Sequence, residues 1–182
     1  FVEPGVLQVG EDTIHAASIV IACGTRPVVP PAWVDFGDRI LTSDTLFEQD
    51  DLPGTIAVVG LGVIGLEIGQ ALAHLGVSVT GIDALDTVAG LTDPAARQSA
   101  IELLGRAFPI WLGHGAELAQ ADGRIRVSAG EHTVVVDKVL AAMGRQSNLD
   151  WLAIENAGIE LDSHGIPVFD EHTMRCGDSR VF

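Results

Sequence analysis

The clearest hydrophobic pattern in the chain begins at residues 55–60, TIAVVG, an unbroken apolar and β-branched run. Such a run predicts a strand covered on both sheet faces. Directly after it, Ile64, Ile68, Ala71, Leu72 and Leu75 recur at i, i+4, i+7, i+8 and i+11, which predicts one buried face of a helix. Gly76 stands where a left-handed cap would end that helix, and VSVTGID at 77–83 predicts a second short strand. Strand, helix and strand in about thirty residues form a βαβ unit.

The flanks are less regular. TIHAASIVIA at 13–22 predicts a strand that ends fully buried, with CGTRP as its breaker. PVVPPAW at 27–33 predicts an extended linker, and SDTLFEQ at 43–49 a short helix opened by a Ser or Asp cap. DPAARQSAIELLGRA at 93–107 predicts a second helix, with Asp93 as N-cap and Pro94 at the first helical position. PIWLG, GAELAQ, RIRVSAG and HTVVVDKVLAAMG then predict short strands, with Asp122-Gly123 as a hairpin turn. From Arg145 the texture changes to a short helical stretch and brief strands joined by Gly, Asp and Ser. The expected fold class is α/β: a Rossmann-like parallel sheet with an antiparallel strand insertion, and no internal repeat.

The break between the first strand and its helix, VVGLGVIGLEIG at 58–69, spaces three glycines as Gly-x-Gly-x-x-Gly. Between a buried strand and an amphipathic helix that spacing predicts a dinucleotide site. Gly60 permits the tight turn, Gly62 lets backbone approach a pyrophosphate, and Gly65 lets the helix pack on the strand, with Gly69 extending the small face. The helix N-terminus offers free N–H groups and its positive dipole end to phosphates. Asp83 closes the next strand, where a carboxylate accepts hydrogen bonds from ribose hydroxyls and repels a 2′-phosphate. No arginine occurs between Val77 and Thr92, so NAD is expected over NADP. Glu67 reads either as a solvated helix residue or as a group reaching a nicotinamide. His164, His172, Cys176 and Asp178 match no metal-ligand spacing, and Ser99, His74 and His114 have no partner that would make a nucleophile, so neither a metal nor a catalytic residue is expected.

Ten basic against twenty-five acidic residues leave a net charge of −15, which disfavours nucleic acid as a partner. No apolar run reaches the roughly 18 residues of a membrane span, so no membrane partner is expected. Cys23 and Cys176 are far apart, and no CxxC or CxxxxC pair occurs; two reduced thiols in a cytoplasmic protein are the expectation. Phe1 is not a starting Met, and SRVF stops inside an apolar run, so the chain is expected to be part of a longer one.

Three stretches together resemble the flavoprotein pyridine nucleotide-disulfide oxidoreductases, most closely their dihydrolipoamide dehydrogenase branch. IVIACGTRPVVPP (19–31) looks like the segment that leaves the FAD domain. IAVVGLGVIGLEIGQALAHLGVSVTGIDALD (56–86) is similar to the NAD-binding core. VLAAMGRQSNLDWLAIENAGIELDSHGIPVFD (139–170) looks like the return to the FAD domain. The resemblance implies a trailing FAD-domain strand and linker at 1–38, an NAD-binding domain at 39–145 and a return segment at 146–182. It implies NAD and, in the full-length protein only, FAD, with electrons passing from a dihydrolipoyl or other dithiol through a disulfide and flavin to NAD in a homodimer.

By that resemblance Gly60, Leu61, Gly62, Val63, Ile64, Gly65, Leu66 and Glu67 form the NAD loop, with Glu67 near the nicotinamide and Val63 where some relatives carry a flavin-shielding tyrosine. Asp83 matches the acid of NAD users, Ala116 an adenine-side contact and Gly144 a backbone contact near the nicotinamide half. Cys23, Gly24 and Thr25 match a Thr-Gly-Ser that touches FAD, with cysteine in place of threonine. Gln146-Ser147-Asn148 departs mildly from the usual Arg-x-Pro-Asn. The FAD glycine motif, the CxxxxC disulfide, the flavin-ribitol Gly-Asp and the dimerisation domain are absent from this stretch, so the chain alone is expected to bind NAD(H) without catalysing. A soluble transhydrogenase, a glutathione or mercuric reductase-like relative, and a stand-alone nucleotide-binding module are the alternatives.

Overall fold

A computed structural model describes all 182 residues. The chain divides into two compact units, one contiguous from Pro27 to Arg145 and one built from Phe1–Arg26 and Gln146–Phe182.

The second of these units opens with a hairpin, β1 (Val6–Val9) against β2 (Asp12–His15), closed by Gly10-Glu11 with Gly10 at φ +60°. The expected continuous strand over 13–22 is not formed. Pairing with β1 ends at His15, and after Ala16-Ala17-Ser18 the chain changes partner: Ile19 bridges Val181 in parallel, and Ile21 N–H donates to the Phe182 carbonyl at 2.7 Å. Three small residues in a row give the pleat no branched side chain to hold. Val20 is 72% exposed, against the expectation of a fully buried end. A third strand, β3 (Thr25–Pro27), finishes the segment where the chain crosses into the contiguous unit.

Within the contiguous unit the expected extended linker over 27–33 holds only as far as Pro30, because Pro31–Arg39 form 3₁₀ turns that bury Trp33 and Phe36. After β4 (Ile40–Thr42) the expected helix over 43–49 shrinks to a 3₁₀ turn at Leu46–Glu48, preceded by Thr45 and without a side-chain cap. The Thr42 and Thr45 hydroxyls account for the change. Thr42 N–H donates to Thr45 Oγ1 at 3.0 Å, and Thr45 N–H to Thr42 Oγ1 at 3.3 Å, which closes a turn where a helix would need free backbone.

The core elements follow as β5 (Thr55–Val59), α1 (Val63–His74), β6 (Ser78–Ile82), α2 (Pro94–Leu104) and β7 (Ile110–Trp111). Three antiparallel strands come next, β8 (Glu117–Ala121), β9 (Arg124–Ala129) and β10 (His132–Val136), and then β11 (Lys138–Ala141). β4, β11, β5, β6 and β7 lie in that order in one parallel sheet. PIWLG thus supplies the edge of the parallel sheet, and HTVVVDKVLAAMG divides between both sheets. Asp122 and Gly123 turn β8 into β9 at φ +47° and +79°, the left-handed pair that a two-residue hairpin needs.

Alternation along β5 separates the two cores. Ile56 and Val58 pack with Leu66, Leu72, Val79 and Phe108 on the helix side. Ala57 and Val59 pack with Trp33, Phe36, Ile125 and Val127 on the antiparallel side. The central strand is therefore covered twice, and each aliphatic side chain buried there contributes about 1.5–3 kcal/mol.

α1 buries part of the face the periodicity suggests, since Leu72 is buried and Ile68 packs against the core. Gly65, Leu66, Gly69 and Leu72 face the sheet, while Ile64, Ala71 and Leu75 are exposed. A Cβ on Gly69 would lie 3.2 Å from the Phe108 ring, so the glycine stripe lets the helix approach more closely than an isoleucine stripe could. The helix ends as expected at Gly76. Gly76 N–H bonds the Ala73 carbonyl at 3.1 Å and Val77 N–H the Leu72 carbonyl at 3.0 Å, a complete Schellman pair. Asp93 caps α2 by accepting from Ala96 N–H at 2.8 Å, and the helix stops at Leu104, short of the expected Ala107.

A polar tie joins the antiparallel strands to the parallel sheet. Asp137 Oδ2 accepts from the Thr55 N–H at 2.9 Å and its hydroxyl at 2.8 Å, and Arg124 Nε lies 2.9 Å from Asp137 Oδ1. The Thr55 hydroxyl, with Arg124 beside it, holds the Asp137 carboxyl below the usual range.

The chain leaves this unit through β12 (Arg145–Ser147). In the return segment Asn148 Nδ2 donates to the Cys23 carbonyl at 3.0 Å, and Arg26 pairs with Asp150. A 3₁₀ turn at Ile154–Ala157 follows, and beyond it pairing is reduced to the Leu161–Pro167 bridge and the Val181 contact.

Candidate functional site

The glycine turn is fixed by backbone contacts that leave no room for side chains at two of its three glycines. Gly60 sits at φ +98°, and a Cβ there would meet the Ala142 carbonyl oxygen at 2.4 Å. A Cβ on Gly65 would reach the Gly60 carbonyl oxygen at 1.9 Å. Gly62 is the reverse case: nothing lies within 4 Å of its Cβ position, so the open side of the turn is available to a ligand. Gly62 is also the N-cap of α1 and supplies no side-chain cap. The first intrahelical bond runs from Leu66 N–H to the Gly62 carbonyl at 3.0 Å, and the N–H groups of Val63, Ile64 and Gly65 precede it.

A cleft of about 600 Å³ opens beside this turn at the C-terminal ends of β4, β5, β6 and β11, the edge where open parallel sheets hold ligands. Ile64 is exposed on α1, and with Val63 it forms one wall. The second wall comes from the turn after β6. Asp83 Oδ2 accepts from Leu61 N–H at 2.6 Å and Oδ1 from Leu85 N–H at 2.8 Å, so one carboxylate ties the glycine turn to the loop that follows it. Gly115 and Ala116 continue this wall.

The third wall is the loop after β11. Gly144, at φ +115°, accepts from Val28 N–H at 3.0 Å. Arg145 Nη1 donates to Ser43 Oγ at 2.9 Å and Asp44 Oδ1 at 3.0 Å. That bond from Arg145 holds the Asp44 carboxyl below its ordinary range. Among the residues that line the cleft, Arg145 is the one cation and Asp83 the one carboxylate; the remainder are apolar, glycine or hydroxyl.

Of the residues singled out in the sequence, Gly60, Gly62, Val63, Ile64, Asp83, Ala116 and Gly144 line this one cleft. Leu61 and Leu66 are buried in the helix-side core, and Gly65 packs against Gly60; these three shape the turn from behind. Glu67 is exposed and lies one helical turn beyond Val63, outside the cleft lining. Cys23, Gly24 and Thr25 belong to the other unit. Arg145 and Ser43 escape a reading of the sequence because they come from loops a hundred residues apart. Their one signal is the Met-Gly-Arg that follows the apolar run of β11. No group of His, Cys, Asp and Glu could hold a metal ion, and no helix is long and apolar enough to cross a membrane.

Residues 2–182 match the family model described as pyridine nucleotide-disulphide oxidoreductase. The chain belongs to that family. A dihydrolipoyl dehydrogenase of Chlamydia pneumoniae is 31% identical over 97% of this chain, and one of Haloferax volcanii is 35% identical over 93%. A soluble pyridine nucleotide transhydrogenase of Mycobacterium bovis is 31% identical over 91%. The chain spans 39%, 38% and 37% of the lengths of these relatives, respectively. Among solved structures, the HOCl-induced flavoprotein disulfide reductase RclA from Escherichia coli superposes with a TM-score of 0.87 at 26% identity, over all of this chain and 42% of that one. The parallel sheet with its antiparallel insertion is thus the fold of the flavoprotein oxidoreductases, as the resemblance implies.

Proposed function

We propose that the cleft binds NAD(H) in preference to NADP(H). The open backbone at Gly62, set at an uncapped helix N-terminus and facing the Asp83 wall, supports this reading most directly. Phosphates suit the Gly62–Ile64 backbone, the adenosine ribose suits Asp83, the adenine side suits Ala116, and Gly144 suits the nicotinamide half. Bound NAD supplies hydride acceptance; the residues of this chain bind and orient it. Glu67, one helical turn beyond Val63, would be the residue of α1 that reaches toward the nicotinamide.

For the whole protein, we propose a flavin-dependent oxidoreductase that moves electrons between a dithiol and NAD by way of a disulfide and FAD, in a cytoplasmic homodimer. Cys23, Gly24 and Thr25 would contribute to FAD contact. The chain by itself binds nucleotide and does not turn over. The transhydrogenase relatives carry a second reading, in which the partner of NAD(H) is a second pyridine nucleotide instead of a dithiol. Isothermal titration of the chain with NADH and NADPH tests the cleft. Tighter NADPH binding, or no binding of either, overturns the assignment. Dithiol oxidation against NADH–NADP exchange by the full-length protein separates the two readings.

A further inference from the structure

The sequence between Val77 and Thr92 holds no arginine, yet the fold brings one to that loop. Arg97 of α2 donates from Nη1 to the Asp86 carbonyl at 3.0 Å, and the same nitrogen lies 3.5 Å from Asp86 Oδ2. Arg97 is the fourth residue of its helix, near the end where a cation gains nothing from the dipole. The loop is held without this pair. Leu85 N–H donates to Asp83 Oδ1 and the Leu85 carbonyl accepts from Gly113 N–H at 3.1 Å, while Ala89 N–H donates to the Leu61 carbonyl at 2.8 Å. The Asp86 carbonyl thus lies between two tied residues, and its bond to Arg97 does not depend on the Asp86 side chain.

Asp83 and Leu85 line the cleft, and Asp86 is the next residue. Three residues of chain span at most about 11 Å, so Asp86 stands within about one Debye length of Asp83 at 0.1 M salt. With the adenosine ribose on Asp83, the extra phosphate of NADP would fall on this side of the cleft, and a nearby arginine is what accommodates it. Arg97 is that arginine, and Asp86 occupies it with both carbonyl and carboxylate. The Asp86 side chain is 81% exposed, so the pair matters little to stability and its charge balance is felt at the cleft rim.

We infer that Asp86 is a specificity-determining residue: its carboxylate neutralises Arg97 at the ribose end of the cleft and so keeps the site from attracting a 2′-phosphate. This rests on the reading of the cleft as a dinucleotide site. Asp83 repels the phosphate, and Asp86 cancels the cation that would otherwise draw it in. With the Asp86 carboxylate removed, the backbone carbonyl still holds Nη1. The guanidinium then keeps its place and its charge goes uncompensated.

The test is titration with NADH and with NADPH of the 182-residue chain, Asp86→Asn, Arg97→Gln and the Asp86→Asn/Arg97→Gln double variant. Each is measured at about 0.01 M salt, where the Debye length is about 30 Å, and at about 1 M, where it is about 3 Å. Asp86→Asn should raise NADPH affinity relative to NADH roughly twofold to fivefold at low salt, the range of an exposed charge interaction. The gain should vanish at high salt. In the Arg97→Gln background the same substitution should leave the ratio nearly unchanged, a coupling that loss of one acidic charge alone would not produce. An unchanged ratio in Asp86→Asn, or an equal gain with and without Arg97, overturns the inference and leaves the dinucleotide reading in place. Failure of the unaltered chain to bind either nucleotide, or tighter binding of NADPH by it, overturns that reading and the inference with it. Thermal unfolding checks the fold of each variant, and Asp86→Ser, which also removes the charge, carries the comparison if Asp86→Asn melts early.

Discussion

The carbonyl oxygen of Gly60 occupies the space a side chain on Gly65 would need: a Cβ there would stand 1.9 Å from it. The spacing Gly-x-x-x-x-Gly across the turn is thus a steric requirement between two named atoms. Gly65→Ala must push α1 off the strand, and we expect a loss of about 1–3 kcal/mol, as for overpacked cores. Urea unfolding of the variant measures it; an unchanged midpoint would show that the turn can give way.

Gly62 separates folding from binding. Its Cβ position is open and its backbone, at φ −66°, suits any residue. Gly62→Ala is expected to unfold within about 0.5 kcal/mol of the unaltered chain, as surface substitutions do, yet to lose most NADH affinity because the methyl group fills the approach to the backbone. Calorimetry and thermal melting on the same sample test both halves.

Asp83 holds the turn as well as facing the cleft. Removing its carboxylate leaves the Leu61 N–H, which it accepts at 2.6 Å, without its partner. Asp83→Ala should therefore cost about 1–3 kcal/mol of stability in addition to weakening NADH binding. Asp83→Asn keeps an acceptor and should recover much of the stability. Asp83→Arg should narrow the preference for NADH over NADPH; a preference that stays the same would mean that this residue does not read the ribose.

Asp137 gives a pH signature. Its carboxyl titrates below the ordinary range because Thr55 and Arg124 favour the charged form. A depressed folded value means a stabilising contribution fully present above about pH 4, the unfolded value, and lost as pH falls through the folded one. Asp137→Asn should be less stable at neutral pH, and the gap should close in acid. Acid unfolding of the pair, followed by circular dichroism, reads the difference; a constant gap from pH 7 to pH 2 would contradict the tie.

Much of the fold could be read because its signals are local. TIAVVG specifies β5 by composition, Asp93 caps α2 with its own side chain, and Asp122-Gly123 demands left-handed backbone. What could not be read depends on partners distant in sequence. The small face of α1 was legible in Gly65 and Gly69, but that Gly69 meets the Phe108 ring, and that Ile64 is left exposed, depends on a residue far along the chain. The strand beyond Ser18 needs Val181 to form at all. The cleft divides in the same way: its glycine turn and Asp83 lie within one βαβ unit, whereas the Ser43–Arg145 contact exists only once β4 and β11 are paired.

The contiguous unit, Pro27–Arg145, interrupts the other one in sequence. During synthesis, with domains folding as they emerge, this gives the two units different timetables. The parallel sheet and its cleft have all their strands once Arg145 has emerged. The Ile19–Val181 pairing must wait until Val181 has emerged, and closing it across the intervening chain carries an entropic cost that grows only with the logarithm of length. That cost falls further if the intervening chain is already compact. The order of assembly is therefore written into the chain path: the cleft has all its strands before the Ile19–Val181 pairing of the other unit can close.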